Sequence, residues 1–70
     1  MRVAVVGATG AVGREMTRTL ERREFPVDEL VPLASARSAG SRVRFRDQEH
    51  TVLELSVDAL RGCDLALLND

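Results

Sequence analysis

Lysine, tryptophan and tyrosine are absent from this sequence, and cysteine and histidine occur once each. A single cysteine, Cys63, cannot close an internal disulfide and lacks the partners of a metal site, so neither staple supports the fold. Two aromatic residues, Phe25 and Phe45, leave little for stacking bases. The net charge of -1 gives no general attraction to nucleic acid or to an anionic membrane. The apolar runs at 3–6 and 65–68 fall far short of the ~20 residues that a bilayer span requires. Met1 and Arg2 lead straight into a strand-like run, without the apolar region and cleavage site of a secretory signal. Cytoplasmic residence is therefore the expectation.

What is present describes one small soluble unit. The chain has 70 residues, 44% hydrophobic and 30% charged, which is too short for two domains. A chain of this length buries only about 60% of its unfolded surface, so its core is marginal. All of the positively charged side chains are arginines, which we read as compositional bias rather than selection for the guanidinium fork.

Residues 2–6 form an apolar, β-branched run ending at Gly7, as in a strand buried on both faces of a parallel sheet. Over 11–23, Val12, Met16 and Leu20 recur every four positions while Arg14, Glu15, Arg18, Glu21 and Arg22 fall elsewhere. That spacing predicts an amphipathic helix, stopped by Phe25-Pro26. Residues 30–34 read as a second strand, although Pro32 inside it suits an edge or a bulge. The small residues of 35–41 form a loop. Residues 42–46 alternate, and 51–53 resume a strand after the polar Asp47-Gln48-Glu49, which predicts a hairpin. Arg42, Arg44 and Arg46 then share one face, a solvent-facing edge guarded by charge rather than a nucleic-acid patch. His50 reads as a surface histidine in a polar turn, and Cys63 as a small core residue. Ser56 caps a short helix through Leu60 with Gly62 just past its end, and 64–68 form a last buried strand.

This order of elements is α/β: the N-terminal part of a Rossmann-like doubly wound sheet, truncated before the sheet is complete. The strand at 64–68 would have a neighbour on each side in that topology, so weak stability or self-association is expected of the chain alone.

The run Gly7-Ala8-Thr9-Gly10-Ala11-Val12-Gly13 sets three glycines three residues apart between a buried strand and a helix, the context that dinucleotide binding requires. Gly7 permits the tight turn, Gly10 admits a pyrophosphate to the backbone, and Gly13 lets the helix pack close to the strand. Free N–H groups near Gly10, Ala11 and Val12 face the positive end of the helix dipole, and Thr9 adds a hydroxyl. A tight turn that binds nothing is the plainer alternative. NAD-binding versions carry an acidic residue about 20 residues further on to accept from the ribose hydroxyls. Here that place holds Ser35, Arg37 and Ser38, two hydroxyls and a guanidinium suited to a 2′-phosphate. Asp28 and Glu29 precede the strand and belong to the wrong end of the sheet. NADP is thus expected over NAD, against the alternative that Arg37 is an ordinary solvated arginine.

The stretch from Val3 to Gly13, then Phe25-Pro26-Val27-Asp28-Glu29-Leu30, then Leu33-Ala34-Ser35-Ala36-Arg37-Ser38-Ala39-Gly40, resembles the N-terminus of bacterial aspartate-semialdehyde dehydrogenases, and the likeness continues through Asp64-Leu65-Ala66-Leu67. The Ser-Ala-Arg-Ser-Ala-Gly run is the specific part. The resemblance implies NADP held by residues 9–13, with Ser35, Arg37 and Ser38 around the 2′-phosphate. It further implies NADPH-dependent reductive dephosphorylation of β-aspartyl phosphate, in a homo-oligomeric parent on the route to lysine, threonine and methionine. The family's catalytic cysteine and histidine are not reached before Asp70, and Cys63 does not match its nucleophile motif. The family also continues past Leu67 into a small-residue loop at the cofactor, from which Leu68-Asn69-Asp70 departs. Two other readings are an N-acetyl-gamma-glutamyl-phosphate reductase or another NADP reductase, and a non-catalytic nucleotide-binding module.

Overall fold

The computed structural model describes residues 1–68. Its elements are β1 (Arg2–Val6), α1 (Ala11–Arg22), β2 (Glu29–Ala34), β3 (Arg42–Phe45), β4 (Gln48–Thr51), β5 (Leu53–Glu54), α2 (Val57–Arg61) and β6 (Leu65–Leu67). Four strands make a parallel sheet in the order β5-β2-β1-β6, and β3 and β4 form a separate antiparallel pair. β1 lies inside the sheet, and Val3, Ala4 and Val5 are wholly buried, as a strand covered on both faces must be.

Alternation along the strands sorts the core into two layers. Val3, Val5 and Leu30 join Ala8, Leu20, Val27 and Phe45 beneath α1 and the hairpin. Ala4, Val31 and Leu33 face the other way, where Ala59, Leu60 and Cys63 pack on them. Cys63 is a half-buried packing residue, and its thiol donates to the Ala59 carbonyl at 3.5 Å.

Pro32 sits in a strand with neighbours on both sides, yet it breaks no bond. Leu33 presents its carbonyl toward β1, where Gly7 N–H donates to it, and Ala34 presents its own toward β5, where Leu55 N–H donates. Backbone groups alternate in direction along a strand, so the ring nitrogen of Pro32 points toward β5. That strand pairs only with Leu33 and Ala34 and stops short of it.

The buried stripe of α1 is Gly13, Thr17 and Leu20, with Met16 packed beside them, whereas Val12 is 54% exposed. The expected stripe through Val12 is thereby corrected. α1 approaches the sheet most closely at Gly13, and Val12 lies about 100° round the axis from it. Thr17 tolerates burial because its hydroxyl donates to the Gly13 carbonyl at 3.0 Å. The helix ends before Phe25-Pro26 is reached. Glu24 adopts a left-handed φ of 51°, and Phe25 N–H turns back to the Leu20 carbonyl at 3.1 Å. Glycine is the usual residue for such a cap. Glu24→Gly is expected to raise the urea midpoint, stabilising the chain by about 1 kcal/mol through relief of the Cβ contact.

The hairpin differs from its expected form. Its strands are joined by Arg46 and Asp47 alone, with φ of 52° and 64°, a two-residue turn whose twist suits paired strands. Of residues 51–53 only Thr51 belongs to it, opposite Arg42: Val52 is buried and exchanges backbone bonds with Gly40 and Ser41, and Leu53 passes to the main sheet. Arg46 consequently leaves the face of Arg42 and Arg44. Its N–H donates to a Glu21 carboxylate oxygen at 2.7 Å, and its guanidinium donates to the carbonyls of Val27 and Phe25 and lies 4.7 Å from the Phe45 ring centre. It fastens the hairpin to the α1–β2 connection. His50 belongs to β4 rather than to a polar turn. Its ring meets Phe45 edge to face at 6.3 Å, and its Nε2 is enclosed without a partner among the described residues.

Charge gathers at the amino end of the sheet. The Met1 ammonium pairs with Asp28, Arg2 Nε lies 3.4 Å from a Glu29 carboxylate oxygen, and Arg2 N–H donates to Asp64 at 2.7 Å. Hydrogen bonding and charge from the ammonium hold the Asp28 carboxyl below its ordinary 3.8. Because the native value is the lower one, this stabilisation is complete above 3.8 and is lost as pH falls through the native value. Asp28→Asn should therefore lower the urea midpoint at neutral pH and leave it nearly unchanged in acid below the native value, so that the acid limb of a plot of midpoint against pH is flatter than the parent's.

Candidate functional site

β1 and β2 run parallel with Val6 opposite Leu33, so the segments that follow them emerge from the same edge of the sheet. Leu33 ties the two exits together, since its carbonyl accepts from Gly7 N–H at 2.8 Å and from Ala8 N–H at 3.1 Å. The expected glycine turn and the loop at 35–41 are brought together by this doubled bond. The sheet order places β2 and β6 on opposite sides of β1, so the chain reverses direction there. In open α/β sheets the crevice beyond the carboxyl ends at such a reversal is where ligands bind.

Each glycine of the turn has its own geometry. Gly7 has φ 77°, a left-handed value that a side chain would strain. Gly13 is buried, and a β-carbon there would lie 2.1 Å from the Gly7 carbonyl oxygen and 2.8 Å from Ala8 Cα. Gly10 is exposed and extended at the start of α1, with φ -78° and ψ 170°.

The open donors differ from the expected set by one. Gly10 N–H donates back to the Gly7 carbonyl at 3.1 Å, so it is occupied. Ala11 and Val12 open the helix, where N–H groups have no partner in the preceding turn, and Gly10 supplies no side-chain cap. The first turn also carries no acidic residue to neutralise the dipole. Ala11 and Val12 are exposed and Thr9 is half-buried, whereas Gly13 lies behind them against the strand. The turn thus leaves an uncapped helix start at the surface, with its support buried behind it.

The loop after β2 curls on itself, as Ser38 and Ala39 N–H both donate to the Ser35 carbonyl at 3.0 Å. Ser35 and Arg37 are exposed, Ser38 is half-buried, and Arg37 has no ion pair among the described residues. Asp28 and Glu29 stand at the other end of β2, engaged with Met1 and Arg2. Sequence reasoning missed the Leu33 carbonyl, because a backbone bond between strand exits has no residue signature. The departure noted at Leu68-Asn69-Asp70 lies mostly outside the described residues. Among those residues no His, Cys, Asp or Glu cluster is placed to hold a metal, and no helix is long and apolar enough to cross a membrane.

A family model described as semialdehyde dehydrogenase, NAD binding domain, matches residues 2–69. The chain is similar to the aspartate-semialdehyde dehydrogenase of Bacillus subtilis, with 52% identity over 69 residues, 99% of this chain and 20% of that protein. A relative of the same name from Aquifex aeolicus is 51% identical over 97% of the chain and 20% of its own length. Among solved structures, aspartate semialdehyde dehydrogenase II of Vibrio cholerae, complexed with ASA, superposes with a TM-score of 0.91 at 43% identity, over 99% of this chain and 22% of that one. A probable aspartate-semialdehyde dehydrogenase from Pseudomonas aeruginosa gives 0.90 at 40% identity, over 97% and 20%. The chain thus spans about a fifth of the length of the relatives it matches.

Proposed function

Because this chain belongs to the semialdehyde dehydrogenase family, as its NAD-binding domain, we propose that it holds NADP in an aspartate-semialdehyde dehydrogenase. The observation that carries the reading is the outward-facing pair of helix-terminal amides at Ala11 and Val12, tied through Leu33 to a loop bearing Arg37. In this reading the amides of Thr9, Ala11 and Val12 hold the pyrophosphate, where the helix dipole favours an anion by about 0.3–1 kcal/mol. Gly10 lets the phosphate approach the backbone, and Gly7 and Gly13 fix the angle at which α1 leaves the strand. Ser35, Arg37 and Ser38 receive the 2′-phosphate through charge-assisted bonds. When bound, the cofactor supplies the hydride that turns β-aspartyl phosphate into aspartate semialdehyde with loss of phosphate. This segment binds and orients. Cys63, packed beneath α2, is no part of the chemistry.

Calorimetric titration of the chain with NADPH and with NADH tests the cofactor assignment. Arg37→Glu is expected to weaken NADPH binding by about 1.5–3 kcal/mol, roughly ten- to a hundredfold, and to leave NADH unchanged. Equal effects on both, or none on either, would remove the 2′-phosphate role. The reaction is tested by exchanging residues 2–69 into the Bacillus subtilis relative. Retained NADPH-dependent reduction supports the proposal, and a folded but inactive chimaera argues against it.

A further inference from the structure

Between α1 and the hairpin lies a second concavity, a cleft of about 400 Å³. None of residues 9–13 or 35–38 lines it. Its walls are arginines from two different elements: Arg14 and Arg18, one helical turn apart on α1, and Arg42 and Arg44, alternate residues of β3. Ala8, Thr17 and Val43 also line it, and Glu21 and Asp47 are its carboxylates.

Four guanidiniums against two carboxylates leave a surplus of two positive charges in the lining. The carboxylates cancel the arginines only in part. Glu21 accepts from the N–H of Arg46, and Asp47 lies 3.9 Å from Arg44. The other partners are outside the cleft: Glu49 at 3.5 Å from Arg42 and Glu15 at 4.0 Å from Arg18. Such exposed pairs are worth about 0–1 kcal/mol each, so they compete weakly with an arriving anion. Arg14 has no ion pair among the described residues.

We infer that this cleft is a second anion site, which takes a compact polyphosphate between the α1 and β3 arginines. Guanidinium forks on facing walls match phosphate oxygens in pairs. The volume falls within the roughly 300–1,000 Å³ of small-ligand sites. A nucleic acid would need stacking aromatics, and no aromatic side chain lines the cleft. Arg42 and Arg44 are exposed and line the same cleft as Arg14 and Arg18, while Arg46 is withdrawn to fasten the turn. Charge that merely guarded an edge would have no reason to converge on Arg14 and Arg18.

The test is an NMR titration of the 15N-labelled chain with inorganic tripolyphosphate at low salt, read at the arginine Nε–H and backbone amide signals. Saturable shifts are expected at Arg14, Arg42, Arg44, Thr17 and Val43, separate from shifts at Ala11 and Val12 where the helix terminus also meets phosphate. Arg14→Gln with Arg42→Gln should weaken the first set at least tenfold and spare the second. Arg44→Gln alone is a milder variant for the case in which the pair fails to fold. Shifts confined to residues 9–13, non-saturating shifts, or variants that bind as the parent does would overturn the inference. A further arm adds NADPH: movement of the cleft signals in place of Ala11 and Val12 would assign the cleft to the dinucleotide and end its standing as a separate site.

Discussion

Gly13→Ala should leave the chain without a cooperative thermal transition. The added β-carbon would stand 2.1 Å from the Gly7 carbonyl oxygen and 2.8 Å from Ala8 Cα. Both are backbone atoms, and Gly7 N–H and Ala8 N–H are held by the Leu33 carbonyl, so no flexible side chain can give way. Relief requires α1 to lift from β1, which uncovers Leu20 and Met16 over the larger core layer. Overpacking costs typically 1–3 kcal/mol and occasionally more, and a contact this short belongs at the upper end. Total stability near 0.05–0.15 kcal/mol per residue gives roughly 3.5–10 kcal/mol for a chain of this length, a margin such a loss largely consumes. Circular dichroism against temperature reads the result. A sigmoidal melt within a few degrees of the parent would mean that α1 stands farther from β1 than a 2.1 Å approach of the added β-carbon implies.

The second large effect is expected at Leu33. Its side chain is fully buried, among the largest that are, and it packs with Ala4 and Val31 on the layer that α2 covers. Leu33→Ala should cost about 2–5 kcal/mol, the transfer of the lost methyl groups plus the cavity they leave. The carbonyl that anchors Gly7 and Ala8 is backbone and survives the change. NADPH affinity of the molecules that remain folded should accordingly fall much less than stability does. Urea denaturation separates the two readouts, with Leu53→Ala as a control because Leu53 is 52% exposed and surface changes stay within about 0.5 kcal/mol. A loss below 1 kcal/mol at Leu33 would mean that the α2 layer collapses around the gap without strain.

The parallel strands, the helix between them and the glycine turn were legible from residues alone. Val3, Ala4 and Val5 have no polar interruption, the turn must pass between a strand and a helix, and Gly13 has no local reason to be glycine unless something lies close. The hairpin was legible only in part. Asp47 is a common left-handed residue of such turns but Arg46 is an unusual one, and it accepts the conformation because its N–H and guanidinium find Glu21, Phe25 and Val27, more than fifteen residues away. Val12 fits the helical period as well as Met16 does. It was turned outward by the contact at Gly13, which the period does not encode.

Local chemistry determined what this chain is made to offer: a buried strand, bare amides at a helix start, and an arginine where a carboxylate would suit an unphosphorylated ribose. Those choices depend on near neighbours and on side-chain type, so a linear reading reaches them. Tertiary structure alone decided which amides remain free, since Gly10 is consumed by Gly7 while Ala11 and Val12 face outward. It also decided that Leu33 joins the two strand exits and that arginines from α1 and β3 meet across a cleft. The physical reason is the same in each case: a hydrogen bond or a charge cluster between segments distant in the chain exists only after the parallel sheet has set their register.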